Sequence, residues 1–350
     1  MFLLMENCNR KPMQIFSSGP TSPDLKRKFL EASLLEKLEA ENGGYEMKPL
    51  SDGLSEGFTC PSAFTQGGVE VHGSHPLFYW TRSRGEGFLI SLGGATVLLH
   101  YSVEMKGFVL VRPVGNLDAI SDLVNGIAEV VARSFAREKI VIRYCSFILT
   151  ERLKREGWAR LSSPLLDSAY ADDETWPEVT LVGDYSNFLL GYKARPVRKS
   201  ISRYNDLCGY RVEECPLEIG ESDFILSGSY RATFCGDYEA SFNRSLASFL
   251  KRGNHTGLRF HYLNFGSELW AFGITGRNTN FSHCYYSGVT KQPRLNTYLL
   301  WKMFTHERSL GAQGLNLGGS EVHSLYTYKA NTFPAYHVNA THVLERNPVI

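Results

Sequence analysis

The sequence predicts an α/β protein with mixed sheets, in which one structural plan occurs twice along the chain. Short apolar runs bounded by turn residues indicate strands, and apolar residues at three- and four-residue spacing indicate amphipathic helices. These signals follow one order, three strands, a helix and a further strand, in both halves of the 350 residues. That length suits two domains of ordinary size, so we expect two tandem units.

The first unit is predicted from a hairpin, a long helix and a buried strand. Two apolar runs flank Gly93-Gly94, a pair typical of a hairpin turn, and apolar residues from Ile120 to Phe135 recur at helical spacing. The predicted elements are, in order, strands at 88–92, 96–101 and 108–111, a helix at 120–135, a strand at 140–142 and a helix at 150–157.

The second unit repeats this order after additional helices. Gly311 ends the strongest helical pattern, and the strand after it leads into Gly318-Gly319. The predicted elements are helices at 186–192, 197–207, 223–234 and 241–251, strands at 258–265, 268–275 and 281–286, a helix at 295–310 and a strand at 314–317. We therefore expect an N-terminal appendage at 1–45, a first unit at 46–185 and a second at 186–350. The appendage contains a charged helical stretch at 24–41, which we expect to pack weakly.

Charge and cysteine content limit the classes of function. With 37 basic and 36 acidic residues the net charge is +1, which excludes a uniformly basic nucleic-acid binder but allows a local basic surface. The seven cysteines include no Cys-x-x-Cys and no histidine spacing typical of zinc. We therefore expect reduced thiols, no metal site and a cytoplasmic protein. No apolar run reaches the length of about eighteen residues that a membrane span requires.

The predicted layout and one short motif carry a resemblance to a known family. Three antiparallel strands, a helix and a parallel strand ending at a glycine corner form the core of the GCN5-related acetyltransferase (GNAT) fold. The segment 315–321 (Leu-Asn-Leu-Gly-Gly-Ser-Glu) is followed by the pair Tyr328-Lys329. This segment resembles the closing motif of the Fem-type aminoacyltransferases, in which an aromatic-lysine pair follows a Gly-Gly turn. The basic stretch 192–204 and the strand at 209–212 resemble the start of the second unit in that family.

Two departures from the family pattern bear on the identity of the acceptor rather than on the fold. Tyr328 stands where the family usually has Phe, and 330–334 (Ala-Asn-Thr-Phe-Pro) replaces the common Gly-Phe-Gly step. The resemblance otherwise implies transfer of an amino acid from aminoacyl-tRNA to an amine or hydroxyl, by direct attack on the ester. We find no Ser/His/Asp or Cys/His signature for a covalent nucleophile.

The resemblance also implies roles for residues around the glycine corner. Attack on the ester creates a negatively charged oxygen, and Lys329 corresponds to the residue that would donate to it. Glu321 and His323, which follow the glycines, are candidate general bases. The residues expected to bind substrate are Gly318, Gly319, Ser320, Tyr328 and His283. Each of these residues also has a purely structural interpretation. The glycines would then form an ordinary turn, Lys329 would be a surface lysine, and Tyr328 and His283 would be core side chains.

A basic segment is the candidate surface for RNA. On a helix that begins near Pro196, Lys199 and Arg203 share a face. The predicted tRNA-binding residues are Lys193, Arg195, Arg198, Lys199, Arg203, Lys291 and Arg294. A solvated charged helix is the alternative interpretation of the same pattern.

The sequence disfavours coenzyme A as a cofactor. Its pyrophosphate is normally bound by backbone N–H groups at a glycine-containing helix N-terminus. Here Pro293 removes one donor, and Leu295 and Thr297 stand where small residues are needed. The corresponding stretch of the first unit, 112–117, also lacks the pattern.

We therefore expect aminoacyl-tRNA as the co-substrate and no bound cofactor. Because no long coiled-coil arm is predicted, a small-molecule or peptide acceptor, as in natural-product biosynthesis, is favoured over a peptidoglycan precursor. An acyl-CoA-dependent N-acyltransferase and a non-catalytic binding protein are the alternatives.

Overall fold

The computed structural model of the protein contains two seven-stranded mixed sheets. It describes residues 23–41, 43–55, 65–66, 69–70, 75–83, 85–103, 105–161, 177–184, 189–215, 236–252, 257–277, 280–319, 323–339 and 341–346. The strands are β1 (Glu46–Pro49), β2 (Thr65–Gln66), β3 (Val69–Glu70), β4 (Phe88–Leu92), β5 (Ala95–Ser102), β6 (Gly107–Val114), β7 (Lys139–Cys145), β8 (Ala159–Arg160), β9 (Glu178–Val182), β10 (Gly209–Glu213), β11 (Leu258–Phe265), β12 (Glu268–Arg277), β13 (Ser282–Val289), β14 (Gly314–Asn316), β15 (Tyr336–Asn339) and β16 (His342–Arg346). The helices are α1 (Pro23–Ala40), α2 (Leu50–Ser55), α3 (Pro76–Arg82), α4 (Leu117–Ser134), α5 (Phe147–Lys154), α6 (Arg195–Tyr204), α7 (Gly236–Lys251), α8 (Leu295–Ser309) and α9 (His323–Thr332).

The two large sheets follow the same local plan. The first has the strand order β1-β4-β5-β6-β7-β16-β8 and the second β10-β11-β12-β13-β14-β9-β15, while β2 and β3 form a separate pair. Strands β4, β5 and β6 are antiparallel, and β7 returns parallel to β6 after helix α4. Strands β11, β12 and β13 are likewise antiparallel, and β14 returns parallel to β13 after α8. The predicted hairpins, long helices and parallel strands are confirmed.

One strand from each half belongs to the other half's sheet. Strand β9 pairs antiparallel with β14 and β15 in the second sheet. Strand β16, near the C-terminus, pairs antiparallel with β7 and β8 in the first sheet. The sequence predicts a division of the chain between residues 185 and 186. Because of this exchange, backbone hydrogen bonds connect residues before that boundary with residues after it in both sheets.

Apolar side chains form three clusters around the sheets. One lies between the first sheet and its helices and includes Ile120 and Leu123 of α4. A second lies between the other sheet and α8 and includes Leu299. The third combines side chains of both sheets, such as Val109 and Phe272. Because this shared cluster takes residues from both halves, the two units are packed against each other.

The N-terminal helix is more firmly attached than the sequence predicts. Leu34 and Leu38 of α1 are fully buried in the core of the first unit. The backbone N–H of Tyr101 donates to Oε1 of Glu31 at 2.7 Å, and burial raises the pKa of Glu31. The expectation of weak packing was wrong because the apolar residues at four-residue spacing form a buried stripe on an otherwise charged helix.

Two other local features differ from the sequence prediction, and one further prediction is not tested. Residues 189–194 form turns, so the described part of the helix predicted at 186–192 is not helical. The helix predicted at 223–234 lies outside the described residues. Helix α9, which carries the Tyr328-Lys329 pair, was not predicted because its sequence has no clear apolar periodicity.

None of the helices in the described ranges is both long enough and apolar enough to span a bilayer.

Candidate active site

The main candidate site is a wedge between the parallel strands β13 and β14. These strands pair only at Ser282 with Leu315 and at His283 with Asn316. Beyond that point β13 continues to Val289 beside β12, while the segment after β14 turns into the loop 317–319. The strands therefore separate and leave an opening between β13 and the loop 317–319, a geometry suited to binding an extended ligand.

Lys329 closes the loop on one side of this wedge. Its side chain is 9% exposed, and Nζ donates to the carbonyl oxygens of Leu317 at 3.0 Å, Gly318 at 3.2 Å and Gly319. An ammonium group has three donors, so these three carbonyls match its capacity. Gly318 has φ +69°, which glycine adopts without strain and which lets the loop curl around the ammonium.

Neighbouring elements hold the same loop rigidly. The N–H of Gly318 donates to Oδ1 of Asn316 at 2.8 Å, and Nδ2 of Asn316 donates to Oε2 of Glu178 at 3.0 Å. Asn316 and Glu178 are fully buried. The N–H of Leu317 donates to the carbonyl of Val179 at 2.8 Å. The exchanged strand β9 thus supports the loop and keeps its geometry preorganised.

Tyr328 lies at the side of the wedge formed by the start of α8. Its hydroxyl shares a hydrogen bond of 3.0 Å with the hydroxyl of Thr297 in the first turn of that helix. Burial raises the pKa of Tyr328 to about 12, against the opposing effect of hydrogen bonds with Thr297 and Asn296. The phenol therefore stays neutral near pH 7 and offers a hydrogen bond rather than a base.

Cys284 lies on the β13 side, close enough for the charge of Lys329 to act on its thiol. Burial raises the pKa of Cys284 to about 12, although that charge and a hydrogen bond with Tyr286 lower it. The thiol donates to the Tyr286 carbonyl at 3.5 Å. Because only a thiolate is an effective nucleophile, Cys284 is unsuited to forming a covalent acyl intermediate.

The other predicted residues of the glycine corner are described only in part. His283 is fully buried at the last paired position of β13, opposite Asn316, and its ring stacks on Tyr285 with centroids 6.2 Å apart. Ser320 and Glu321 lie outside the described residues, as does the side chain of His323, whose backbone begins α9. The roles expected for these four residues stay predictions.

The predicted RNA surface is exposed and continuous around α6 and the start of α8. Helix α6 buries Val197, Ser200 and Tyr204, so its basic residues occupy the opposite face. All seven predicted residues are exposed, namely Lys193, Arg195, Arg198, Lys199, Arg203, Lys291 and Arg294. The Tyr204 hydroxyl donates to the Pro293 carbonyl at 2.6 Å, which brings the two parts of the set together.

One member of this set also has a structural role. Nη1 of Arg198 donates to the carbonyls of Leu189 at 2.6 Å and Gly191 at 2.7 Å. These bonds fix the turn before α6 against the helix. A substitution of Arg198 would therefore disturb this turn as well as remove a charge.

A second buried cluster, which the sequence analysis missed, lies at the closed end of the wedge. Glu307 of α8 is fully buried and accepts from two guanidinium nitrogens of Arg259, Nη2 and Nε, with Nε to Oε1 at 2.7 Å. Thr275 donates to Oε1 at 2.6 Å, and Ser282 donates to Oε2. Burial alone would raise the pKa of Glu307, but the nearby His261 ring and hydrogen bonds from Arg259 and Ser282 hold it well below its usual range.

The cluster extends across the sheet through a histidine. His261 is bonded to Thr275 Oγ1 through Nε2 at 2.7 Å and to the Tyr210 hydroxyl through Nδ1 at 2.7 Å. Polar residues two apart on one predicted strand, as Arg259 and His261 are, are the sequence signal that could have revealed it. Since Ser282 begins β13, this network anchors the strand where the wedge closes.

The network predicts a loss of stability in mild acid. Burial lowers the pKa of His261, so the unfolded chain takes up the proton first as pH falls below about 6.5. We expect the free energy of unfolding to decrease between pH 6.5 and 5, and His261→Gln to reduce that slope by up to about 1.4 kcal/mol per pH unit. Chemical denaturation at several pH values measures this dependence of the free energy of unfolding on pH. His337→Gln, at an exposed histidine of β15, is the control, and an unchanged slope in His261→Gln would contradict the assignment.

Comparisons with known proteins support the fold. No protein-family model matches the chain, and no curated protein matches it. Among solved structures it is similar to L-PGS from Bacillus licheniformis, with TM-score 0.59 and 12% identity over 86% of this chain and 92% of that one. It is also similar to FemX, with TM-score 0.56 and 12% identity over 87% and 97%. The C-terminal domain of a putative lysylphosphatidylglycerol synthetase from Agrobacterium fabrum gives 0.54 and 15% over 77% and 87%.

These similarities define the class of protein by its fold. Two mixed sheets, each with a helix between its third antiparallel strand and a returning parallel strand, form a tandem GNAT fold. The match over most of FemX makes it a Fem-like tandem GNAT fold, as the sequence predicts. At these levels of identity the similarity concerns the fold, and activity has to be argued from the site.

Proposed function

We propose that this protein is an acyltransferase that moves an amino acid from aminoacyl-tRNA to an amine or hydroxyl of a small-molecule or peptide acceptor. The observation that carries the proposal is the position of the Tyr328-Lys329 pair. The lysine ammonium lies buried on the loop that forms one side of the wedge between β13 and β14. In the GNAT fold an acyl group enters between these strands, so the wedge is the natural site for the ester carbonyl.

Lys329 stabilises the oxyanion in this mechanism. In the resting structure its three donors are directed at three neutral carbonyls. A tetrahedral intermediate offers a full negative charge instead, so the ammonium gains the attraction of an ion pair in addition to the hydrogen bond. We expect the ammonium to exchange the carbonyl of Gly319 for the oxyanion. The remaining two bonds keep it positioned.

Transfer proceeds by direct attack of the acceptor on the ester. Cys284 is held as a neutral thiol, which argues against a covalent intermediate on that residue. The acceptor amine must lose a proton during attack, and we assign this step to Glu321 or His323, which lie in sequence between the glycine loop and Lys329. Tyr328, a neutral phenol beside the first turn of α8, binds the terminal nucleotide of the RNA.

The start of α8 supports aminoacyl-tRNA rather than CoA as the acyl donor. Leu295 is fully buried, and its N–H donates to the Gln292 carbonyl at 3.2 Å. The hydroxyl of Thr297 is bonded to Tyr328. In the first unit, Oδ1 of Asn116 caps α4 by accepting from the Ala119 N–H at 2.8 Å. At each helix N-terminus one backbone donor that could hold a pyrophosphate is thus already used.

The basic face of α6 predicts salt-dependent tRNA binding. We expect Lys199→Ala with Arg203→Ala to weaken tRNA binding and to lower the slope of log affinity against log salt by roughly 0.9 for each phosphate that the variant no longer neutralises. Titrations at several salt concentrations measure that slope. The matched control, Arg152→Ala with Lys154→Ala, removes two exposed charges of α5 in the first unit. An equal change in both double variants would remove α6 from the RNA surface.

One transfer assay tests the proposal as a whole. The protein is incubated with a mixed pool of tRNA charged with labelled amino acids and with candidate amines, with and without ribonuclease, and in parallel with acyl-CoA. We expect labelled amide only from intact charged tRNA. Transfer that survives ribonuclease, or that requires acyl-CoA, would contradict the proposal.

A further inference from the structure

A stacked aromatic pair stands at the open end of the wedge. Phe265 ends β11 and stacks on Trp270 of β12, with ring centroids 4.5 Å apart and planes 22° from parallel. Trp270 is partly buried against the core beneath α8. Phe265 remains 42% exposed, although it is a large apolar side chain. The pair therefore presents one supported aromatic face to solvent.

The hairpin that carries this pair lies beside the basic loop before α8. The N–H of Thr290 donates to the Trp270 carbonyl at 2.9 Å, which joins the hairpin to the segment 290–294. That segment contains the exposed Lys291 and Arg294. Its Pro293 carbonyl accepts the bond from Tyr204 at the end of α6. The aromatic pair and the basic surface thus meet at one rim of the wedge.

The only acidic group of the hairpin turn is already engaged. Oε2 of Glu268 accepts from Nε1 of Trp270 at 3.3 Å. This bond orients the indole ring under Phe265. The rim therefore combines cations with an aromatic face, the combination that binds single-stranded nucleic acid, in which phosphates meet cations and unpaired bases stack on rings.

The length of β13 gives the distance between this rim and the region around Lys329, where the ester is expected to react. Val289 at the rim lies five positions after Cys284, the residue near the charge of Lys329, a span of about 17 Å in an extended strand. A few unpaired nucleotides cover such a span. If the terminal ester lies near Lys329, a nucleotide upstream of it lies at the rim.

We propose that Phe265, backed by Trp270, is the platform on which an unpaired nucleotide of the 3′ end of tRNA stacks before that strand enters the wedge. This inference rests on the proposed use of aminoacyl-tRNA. It adds a recognition element for single-stranded RNA to the basic face that binds phosphates. It also predicts that the β11–β12 hairpin contacts the single-stranded 3′ tail of the RNA rather than its stem.

Binding of two RNA probes tests the platform. One is an uncharged RNA hairpin with a single-stranded 3′ tail that ends in CCA, and the other is the same stem with a blunt end. We expect Phe265→Ala to bind the tailed RNA about tenfold more weakly, the size of one base stack, and to bind the blunt RNA like the wild type. Phe265→Tyr, which keeps an aromatic face, should restore tailed-RNA binding.

The controls separate this inference from the proposed function. Phe29→Ala removes an exposed aromatic ring of α1 in the first unit and should leave both affinities unchanged. Equal affinity of wild type and Phe265→Ala for the tailed RNA would overturn the platform while RNA binding stands. An equal loss on both probes, or a change of oligomeric state in Phe265→Ala, would also overturn it. If the wild type binds neither RNA, the proposed function fails, and the platform fails with it.

Discussion

Replacement of Lys329 by methionine is expected to lower the rate of aminoacyl transfer by about a hundredfold, the usual effect of removing one oxyanion donor. Methionine keeps an unbranched apolar chain of similar size but cannot donate to the carbonyls of Leu317, Gly318 and Gly319. We therefore also expect a loss of stability of at least about 2 kcal/mol, since a buried acceptor left without a donor costs about 1–3 kcal/mol and, of these three, the Gly318 carbonyl still accepts from the Val179 N–H. Single-turnover rates with charged tRNA measure the catalytic effect directly.

Two comparisons show whether that loss is catalytic. Lys302→Met changes a partly buried lysine of α8 that lies over the ring of Tyr210, away from the glycine loop. It should transfer at the wild-type rate. Affinity of Lys329→Met for uncharged tRNA should stay within severalfold of wild type, because the lysine acts on the intermediate. A Lys329→Met protein that folds and transfers normally would remove this residue from the mechanism.

Glu307→Gln is expected to cause a large loss of stability, about 3 kcal/mol or more in the free energy of unfolding. The substitution keeps the shape of the side chain but leaves the charge of Arg259 without its carboxylate partner. It also places an amide nitrogen where Ser282 or Arg259 now donates to oxygen. Urea denaturation at pH 7 measures the change.

An exposed glutamate gives the matched control for this measurement. Glu129→Gln, on the solvent face of α4, should change stability by less than about 0.5 kcal/mol. If Glu307→Gln were as stable as Glu129→Gln, the buried carboxylate would not be the centre of the network. A shift of the midpoint without a change in the denaturant slope would show that the native fold is retained.

Local patterns in the sequence were enough to predict most of each unit. The apolar periodicity of α4 and the glycine turns of the hairpins depend on neighbouring residues, so they can be read along the chain. The exchange of β9 and β16 could not be read in this way. Both are short strands, and their partners are chosen by pairing with segments more than one hundred residues away.

The candidate site was predictable in part for the same reason. The Gly318-Gly319 turn and the Tyr328-Lys329 pair form a short motif, and the structure brings them into contact. The support from Glu178 through Asn316 depends on the exchanged strand and leaves no local trace. The network around Glu307 joins five elements, so its members look like ordinary polar residues when taken singly.

Hydrogen exchange of the backbone amides tests most directly the claim that the wedge of the second unit receives the acyl end of tRNA. The protein is labelled alone, with uncharged tRNA and with CoA. We predict that tRNA slows exchange at 284–294 and 317–319 and that CoA changes neither segment. Protection by CoA at these segments, or protection by tRNA confined to the first unit's parallel strands at 111–115 and 143–146, would contradict that claim.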